Sequence, residues 1–264
     1  MGDITVLFRN DDVNALTPEL RNVTRIFLDR GISITHTVEP GNVSEACVAW
    51  LKQMRREHGG LVEIVQHGWN HAKHGRGEFG DGRSYGEQYD DLARGRARME
   101  ELFGEDFFPM ITIPFGVYKQ DTVRACDALG YKVFCAHYNY RLSRRLFYAV
   151  GRLLGRGQLF GRGISNHLRN YPRTRMFEID SAISFIKKYY DDYGTECEFE
   201  TESSMLGHFE RFERFIPVIV VLLHHRYHND ARKLQLVEDV VDALQRRPCV
   251  RFSSYRGVWS EYRS

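Results

Sequence analysis

The sequence lacks the features that mark membrane-spanning and disulfide-stabilised proteins. Its longest apolar run, Val218 to Leu223, is far too short for a bilayer, which needs about 20 residues. Its five cysteines are scattered and form no C-x-x-C pair, which favours free thiols in a reducing compartment. The N-terminus has no basic segment followed by an apolar one, as a secretory signal would. We therefore expect a cytoplasmic protein.

An excess of charge of one sign is also missing. The formal net charge is only +2, so the chain as a whole is no polyelectrolyte binder, and we expect no nucleic-acid partner. We find neither a P-loop nor a dinucleotide fingerprint. No long polar or Pro/Gly-rich linker divides the chain. Residues 1–264 are therefore expected to form one domain, in the size range of α/β barrels.

Short apolar runs alternate with longer helical patterns along the whole chain. The run "ITVLF" is followed by a segment with Thr17 as N-cap and Pro18 in the first turn, and the alternation recurs until "CVRFSSY" near the C-terminus. Runs such as "VEIVQH" and "PVIVVLLHH" predict buried strands, and "SAISFIKKYYDDYG" predicts a helix. About seven or eight βα units favour a parallel sheet covered by helices, arranged as a (β/α) barrel rather than an open sheet.

Polar side chains that can carry chemistry stand at the ends of the predicted strands. The first strand ends on Asp11 and Asp12, the third on "QHGWNH" with His67 and His71, and "PVIVVLLHH" ends on a histidine pair beginning at His224. In parallel α/β folds, functional residues lie at the carboxyl ends of strands. We therefore expect these acidic and imidazole groups to collect at one rim.

Two adjacent aspartates need an explanation, because two carboxyl groups so close together resist being ionised at the same time. A bound dication relieves that repulsion, and two histidines four residues apart plus one carboxylate suit zinc. One aspartate can bind the metal while the other takes a proton from water. The alternatives are an Asx-type turn for either aspartate and plain polar loop roles for His67 and His71.

Four motifs in a fixed order resemble a known family. The order strand–"NDD", strand–"HGWNH", strand–"IPFG" and strand–"LLHH" resembles the polysaccharide deacetylase family, the NodB-homology domain of carbohydrate esterase family 4. The resemblance extends from residue 4 to about residue 245. It implies a distorted (β/α) barrel and metal-dependent removal of an N-acyl group, acetyl or formyl, from an amino sugar.

The resemblance also implies roles for individual residues. Asp11 resembles the general base, and His224 resembles the general acid that protonates the leaving amine. Asp12, His67 and His71 resemble the ligands of one divalent metal ion. Zinc is the expected ion, and cobalt, nickel or manganese suit the same ligands.

Three further histidine and loop positions carry expectations. His224 and His225 are adjacent, so an extended strand points them in opposite directions, and motif position favours His224 as the one that faces the site. His228 is expected at the surface. The glycine-rich loop "KHGRGEFGDGRSYGEQ" predicts a mobile rim, with Glu78 or Trp69 contacting sugar or with no special role.

Several positions depart from the family pattern and indicate a divergent member. The arginine that the family usually carries two residues before the motif proline is Thr112 here, and Arg9 or Arg226 could orient the base instead. Asp180 is the nearest match to the aspartate that tunes the acid histidine, and it could equally adjoin a helix N-cap. These departures keep two alternatives open: a metal hydrolase of another amide or ester, and a non-catalytic carbohydrate- or membrane-binding protein on a degenerate scaffold.

A basic insertion spans about residues 138–176, which include many arginines and no acidic residue. Projection at 100° per residue gives a helix with one apolar face: Leu146, Phe147, Val150, Leu153 and Leu154. The opposite face has three arginines: Arg145, Arg152 and Arg156. The alternatives are an ordinary helix with a solvated face, peripheral contact with an anionic membrane, and a cradle for phosphate. The last two suit an amino sugar linked to a polyprenyl phosphate or a nucleotide.

Overall fold

The structure is a computed structural model, and it describes residues 3–80, 82–139, 141–154, 164–190 and 196–263. The described strands are β1 (Ile4–Val13), β2 (Ile34–Val38), β3 (Val62–His67), β4 (Phe107–Thr112), β5 (Val133–Cys135), β6 (Arg169–Asn170), β7 (Phe177–Glu178), β8 (Ser181–Ser184), β9 (Ile186–Tyr189), β10 (Cys197–Phe199), β11 (Val218–Leu223) and β12 (Val250–Phe252). The described helices of more than one turn are α1 (Pro18–Leu28), α2 (Glu45–His58), α3 (Tyr85–Phe103), α4 (Gln120–Ala128), α5 (Leu142–Leu153), α6 (Glu202–Phe212), α7 (Ala231–Gln245) and α8 (Tyr255–Arg263).

The chain falls into two compact units. The first unit comprises Met1–Val38, Val43–Ile64 and Ser181–Ser264, and the second comprises Glu39–Asn42 and Val65–Asp180. Strand β3 begins in the first unit and ends in the second. The expectation that the chain is one domain stays a prediction.

The first unit is built around β1. Strands β2, β11 and β12 all pair with β1 in parallel, and β8 pairs with β11 in parallel. All ten residues of β1 and all six of β11 are buried, which explains why these strands are almost continuously apolar until β1 reaches its polar end. Helix α1 starts as expected, since Thr17 Oγ1 accepts a hydrogen bond from the backbone N–H of Leu20 at 3.2 Å.

The second unit has a smaller set of parallel strands. Strand β5 pairs with β4 and with β7 in parallel, and the two-residue β6 closes this edge by pairing with β7 in the antiparallel sense. Helices α3 and α4 pack against each other beside these strands. The repeated βα units that the sequence predicts are therefore present in both units, with an antiparallel strand added at one edge.

Two predictions of secondary structure were wrong. In the segment "SAISFIKKYYDDYG", residues 181–184 and 186–189 form β8 and β9 instead of a helix, and residues 191–194 lie outside the described residues. Ser181, Ile183 and Phe185 are buried while Ala182 and Ser184 are less so, as in a half-buried strand. Beyond the last strand, α8 was not expected. Its first turn depends on a distant residue: the buried Glu63 carboxylate accepts hydrogen bonds from the N–H groups of Tyr255 and Arg256, at 3.0 and 2.7 Å.

The described helices include none with the length and apolarity that crossing a bilayer requires.

Candidate active site

The end of β1 has an unusual backbone. Asp12 has φ +61°, a left-handed conformation that non-glycine residues seldom adopt, and the pairing of β1 with β2 is irregular between Asn10 and Val13. On a regular strand, successive side chains point to opposite faces. The irregularity at Asp12 breaks that alternation where two carboxylates are adjacent. Such strain costs about 1–3 kcal/mol, persists only where the surroundings impose it, and is concentrated at functional sites.

Asp11 is fixed by a planar cation from its own strand. Arg9 donates Nε to Asp11 Oδ1 at 2.8 Å and Nη2 to Asp11 Oδ2 at 2.6 Å, and both residues are buried. The Thr37 hydroxyl donates a third bond to Asp11 Oδ1 at 2.9 Å. Residues two apart on a strand share a face, which is why Arg9 can reach Asp11. Of the two arginines that the sequence left open, Arg9 therefore orients Asp11.

His224 and Arg226 lie near the other aspartate. His224 Nε2 and Arg226 Nη1 are each 3.9 Å from Asp12 Oδ2. The hydroxyl of Tyr189 hydrogen-bonds to His224 Nδ1 at 3.0 Å, which holds the ring with its other nitrogen towards Asp12. The end of β1 thus gathers two carboxylates, two guanidinium groups and one imidazole within the first unit.

His225 has a structural position in the interior. Its backbone N–H donates to Asn10 Oδ1 at 2.8 Å, and its side chain is buried. Burial lowers the pKa of His225 to about 4, so this imidazole is neutral at pH 7. Of the two adjacent histidines, His224 is the one beside Asp12.

His228 is buried, and the expectation that it lies at the surface was wrong. After the turn His225–Tyr227, the His228 ring packs between two aromatic rings. Its centroid is 5.6 Å from the ring centroid of Phe185 and 5.1 Å from that of Phe199. Its Nδ1 donates to the carbonyl oxygen of Lys233 at 3.3 Å. Burial lowers the pKa of His228 to about 4.

In the second unit, His67 and His71 form a close pair of buried imidazoles. Their ring centroids are 5.3 Å apart, and His71 has φ +56°. The Thr112 hydroxyl is 2.6 Å from His67 Nδ1 and donates to the carbonyl oxygen of Gln66 at 3.1 Å. A hydroxyl has one proton to give, so His67 Nδ1–H donates to Thr112, and its Nε2 has a lone pair for a metal. Thr112, at the position of the missing motif arginine, orients a histidine instead.

Glu78 supports the backbone between the two histidines. One of its carboxylate oxygens accepts hydrogen bonds from the N–H groups of Trp69 and Asn70, at 2.7 and 3.1 Å. Burial raises the pKa of Glu78 to about 6. Gly68 has φ +52°, and a Cβ there would overlap the other Glu78 oxygen, so the usual Ser or Thr does not fit. Glu78 is completely buried, contrary to its expected place on an exposed rim.

The residues present fit a metal ion by their donor chemistry. Asp12 lies in the first unit and His67 and His71 lie in the second, and all three are buried. One carboxylate and two imidazoles, one of them fixed in its tautomer by Thr112, form a ligand set for zinc, cobalt, nickel or manganese.

Comparisons with known proteins bear on the fold. Residues 5–134 match the family model described as polysaccharide deacetylase. A solved protein from Mycobacterium smegmatis assigned as a polysaccharide deacetylase has 13% identity and a TM-score of 0.66, over 93% of this chain and 77% of that one. The family 4 acetyl xylan esterase of Clostridium thermocellum, in complex with a cobalt ion, has 11% identity and a TM-score of 0.60, over 97% and 91%. A Streptococcus mutans CE4 esterase has 12% identity and a TM-score of 0.56, over 96% and 86%.

A comparison with curated proteins gives no match. At the low identities of the solved structures, the similarity establishes the fold. The predicted α/β fold class, a distorted (β/α) barrel of the deacetylase type, is therefore confirmed.

Proposed function

We propose that the chain, whose residues 5–134 match the polysaccharide deacetylase model, is a divergent member of that family and a metal-dependent hydrolase that removes an N-acetyl or N-formyl group from an amino sugar. The observation that carries the proposal is the end of β1. There a carboxylate held by the Arg9 guanidinium lies beside a second carboxylate in a strained backbone. A folding argument gives no reason for that arrangement, whereas amide hydrolysis uses both groups.

Asp12, His67 and His71 would hold one divalent cation, with zinc as the expected ion. A bound cation supplies Lewis acidity, which polarises the acyl carbonyl and makes water more acidic. Thr112 keeps the lone pair of His67 on Nε2. This role supports the assignment, because hydrogen bonds that orient metal-binding imidazoles typically raise metal affinity.

Asp11 and His224 are proposed to move the protons. Asp11 accepts the proton of the attacking water, and the fork from Arg9 holds its carboxylate ionised and aimed. His224 gives a proton from Nε2 to the departing amine, while Tyr189 holds the opposite nitrogen. The neutral, buried His225 takes no part.

The proposal extends to the carrier of the sugar and to the compartment. Residues 138–176 have many arginines and no acidic residue, which suits a sugar linked to a polyprenyl phosphate or a nucleotide. The scattered cysteines, with Cys47, Cys126 and Cys135 buried as free thiols, suit the reducing cytoplasm. We expect no nucleic-acid partner.

The test combines metal content with product release. Purified wild type, His67→Ala and the control His208→Ala, a partly exposed histidine of α6, are loaded with zinc, desalted and analysed for metal. Wild type and control should retain about one ion per chain and His67→Ala almost none. Acetate and formate release is then measured on N-acetyl and N-formyl amino sugars and on acetyl esters. If acetate is released from esters alone, the substrate is an ester instead of an amide. If the protein retains no metal and releases no product, it is a degenerate scaffold without catalytic activity.

A further inference from the structure

Helix α5 presents its apolar face to solvent. Its leucines are among the most exposed large apolar residues of the described chain, with Leu153 86% exposed, Leu142 70% and Leu146 58%. Phe147 and Val150 are each 50% exposed, and Leu154, just beyond the helix, is 67% exposed. At 100° per residue these side chains fall within about 140° of one face. The apolar face predicted from the sequence is present, and the residues that the structure describes leave it exposed.

The opposite face of α5 packs against the second unit. Gly151 is buried, and Tyr148 is partly buried, which raises the pKa of its phenol. Gly151 and Tyr148 thus lie on the less exposed side of α5, while its leucines are exposed.

This orientation is the reverse of that of a helix on a globular protein. Such a helix buries its apolar stripe and exposes its polar face. Contiguous exposed apolar patches mark surfaces that contact a partner or a membrane. The apolar face of α5 is exposed, which differs from the ordinary helix with only its polar face solvated that the sequence left open.

The charge around α5 is positive. Arg141 precedes the helix and is exposed, and Arg144 lies in its first turn. The β6–β7 hairpin follows in the same basic segment of the sequence and displays Arg169, Arg173 and Arg175, all exposed. Arg145 and Arg152 belong to the helix, although their side chains are not described, and Arg156 lies outside the described residues.

We propose that α5 and the adjoining arginines are a docking surface for an anionic lipid bilayer. A helix of this kind lies in the plane of the interface, with its apolar face among the acyl chains and its arginines at the head groups. Each arginine near an anionic surface strengthens binding by about fivefold. A second copy of the chain is a poorer occupant, because residues 138–176 offer no acidic side chain and two copies would bring arginines together.

The docking surface goes beyond the proposed hydrolysis and does not depend on it, since binding is measured without turnover. Wild-type protein is mixed with vesicles of phosphatidylcholine alone or of phosphatidylcholine with phosphatidylglycerol, and bound protein is recovered by flotation. We expect binding to the anionic vesicles that weakens with added salt. The variant Leu146→Glu with Leu153→Glu should bind at least about tenfold more weakly, since each leucine loses its burial.

The single variant Leu153→Glu has a matched control in Phe215→Glu, which places one glutamate on another residue that is 71% exposed, in the first unit. This control should bind vesicles as the wild type does. All the altered side chains are exposed, so the midpoint of thermal unfolding of each variant should stay close to that of the wild type. In a separate variant, Leu153→Trp, brominated lipids should quench the fluorescence of the introduced tryptophan. The quenching is compared with that of the wild-type protein, which has its three native tryptophans.

Three results would overturn the proposal. One is wild-type protein that does not float with anionic vesicles. Another is binding that the double glutamate variant leaves unchanged. The third is a wild-type dimer in lipid-free solution, seen by light scattering, that the double variant dissociates while neither protein binds vesicles; that result would assign the face to a second copy.

Discussion

Two pairs of buried acidic residues stand at strand ends, and they have opposite surroundings. Asp11 and Asp12 at the end of β1 have cations nearby: the Arg9 fork on Asp11, and Arg226 and His224 at 3.9 Å from Asp12. Opposite charges close by favour the ionised form of a carboxyl group. Cations thus face both carboxylates of this pair.

The second pair, Glu178 and Asp180, lies at the end of β7. Neutral groups donate hydrogen bonds to it: Asn166 donates its N–H and its side-chain amide to Glu178 Oε2, at 2.8 and 2.9 Å, and the N–H of Ala136 donates to Asp180 Oδ1 at 2.7 Å. Burial and the charge of Asp180 raise the pKa of Glu178 well above its usual value. This pair therefore keeps a proton to higher pH than an ordinary glutamate does, and it fastens two loops of the second unit.

The difference shows that neighbouring acids in a sequence do not by themselves indicate catalysis. Glu178 and Asp180 are two residues apart on an extended chain and share a face, yet their surroundings make them a structural pair. The alternative that Asp180 adjoins a helix N-cap is wrong, because β8 begins at Ser181. The two pairs differ in the cations that lie near them, and variants of both pairs test that difference.

The largest effect is expected from removing one charge of the first pair. Asp11→Asn should lower turnover by about 10²–10⁴-fold, the range for losing a general base, while metal content stays unchanged. The matched change in the second pair, Asp180→Asn, should leave turnover within about threefold, because that pair contacts no reacting atom in our proposal. Equal losses in both variants, measured as kcat with the same N-acyl amino sugar, would remove the distinction between the pairs.

Removing the cation from the first pair should cost stability. Arg9→Gln leaves the buried Asp11 carboxylate without its fork, and we expect the free energy of unfolding to fall by about 3–5 kcal/mol. In the double variant Arg9→Gln with Asp11→Asn the cost should be smaller, since no unpaired charge remains. Urea unfolding of the four proteins of this cycle measures the coupling. If the losses in unfolding free energy of the two single variants simply add in the double variant, Arg9 does not stabilise the charge of Asp11.

Thr112→Val tests the bond that orients His67. We expect metal affinity to fall by about 10–100-fold, as is typical when a hydrogen bond to a metal-binding imidazole is lost. Competition with a chelator measures the affinity. Thr122→Val is the matched control, because it also deletes a buried threonine bond, the one of 2.6 Å to Gln88, away from the histidines. A similar loss of affinity in the control would assign the effect to general destabilisation.

The smallest effect concerns the proton on the second pair. Glu178→Gln keeps an acceptor for Asn166 and supplies a permanent donor, so it mimics the protonated acid. Folded wild type keeps this proton where the unfolded chain releases it. Its stability therefore falls as pH rises from about 4.5 towards the raised pKa, by at most about 1.4 kcal/mol per pH unit. The stability of Glu178→Gln lacks this pH dependence. The free energy of unfolding of the variant should therefore increase relative to that of the wild type as the pH rises. Parallel stability curves over this range would contradict a shared proton.

Much of the fold and of the candidate site could be read from local pattern. The apolar runs of β1 and β11 and the Thr17 cap of α1 follow from burial on both faces of a strand and from capping chemistry. Asp11 and Asp12 could be selected because they end a buried strand. The alternating pattern of "SAISF" was misread as a helix, since a short apolar stretch does not distinguish the two periods.

The sequence by itself determined the alternating strands and helices, the acidic and imidazole groups at strand ends, and the two faces of α5. Only the tertiary structure decided that Arg9 rather than Arg226 holds Asp11, that His224 rather than His225 lies beside Asp12, and that the apolar face of α5 points to solvent. The physical reason is that periodicity is a property of neighbouring residues. Ion pairing and burial depend on strand register, on a left-handed residue such as Asp12, and on what packs against each face.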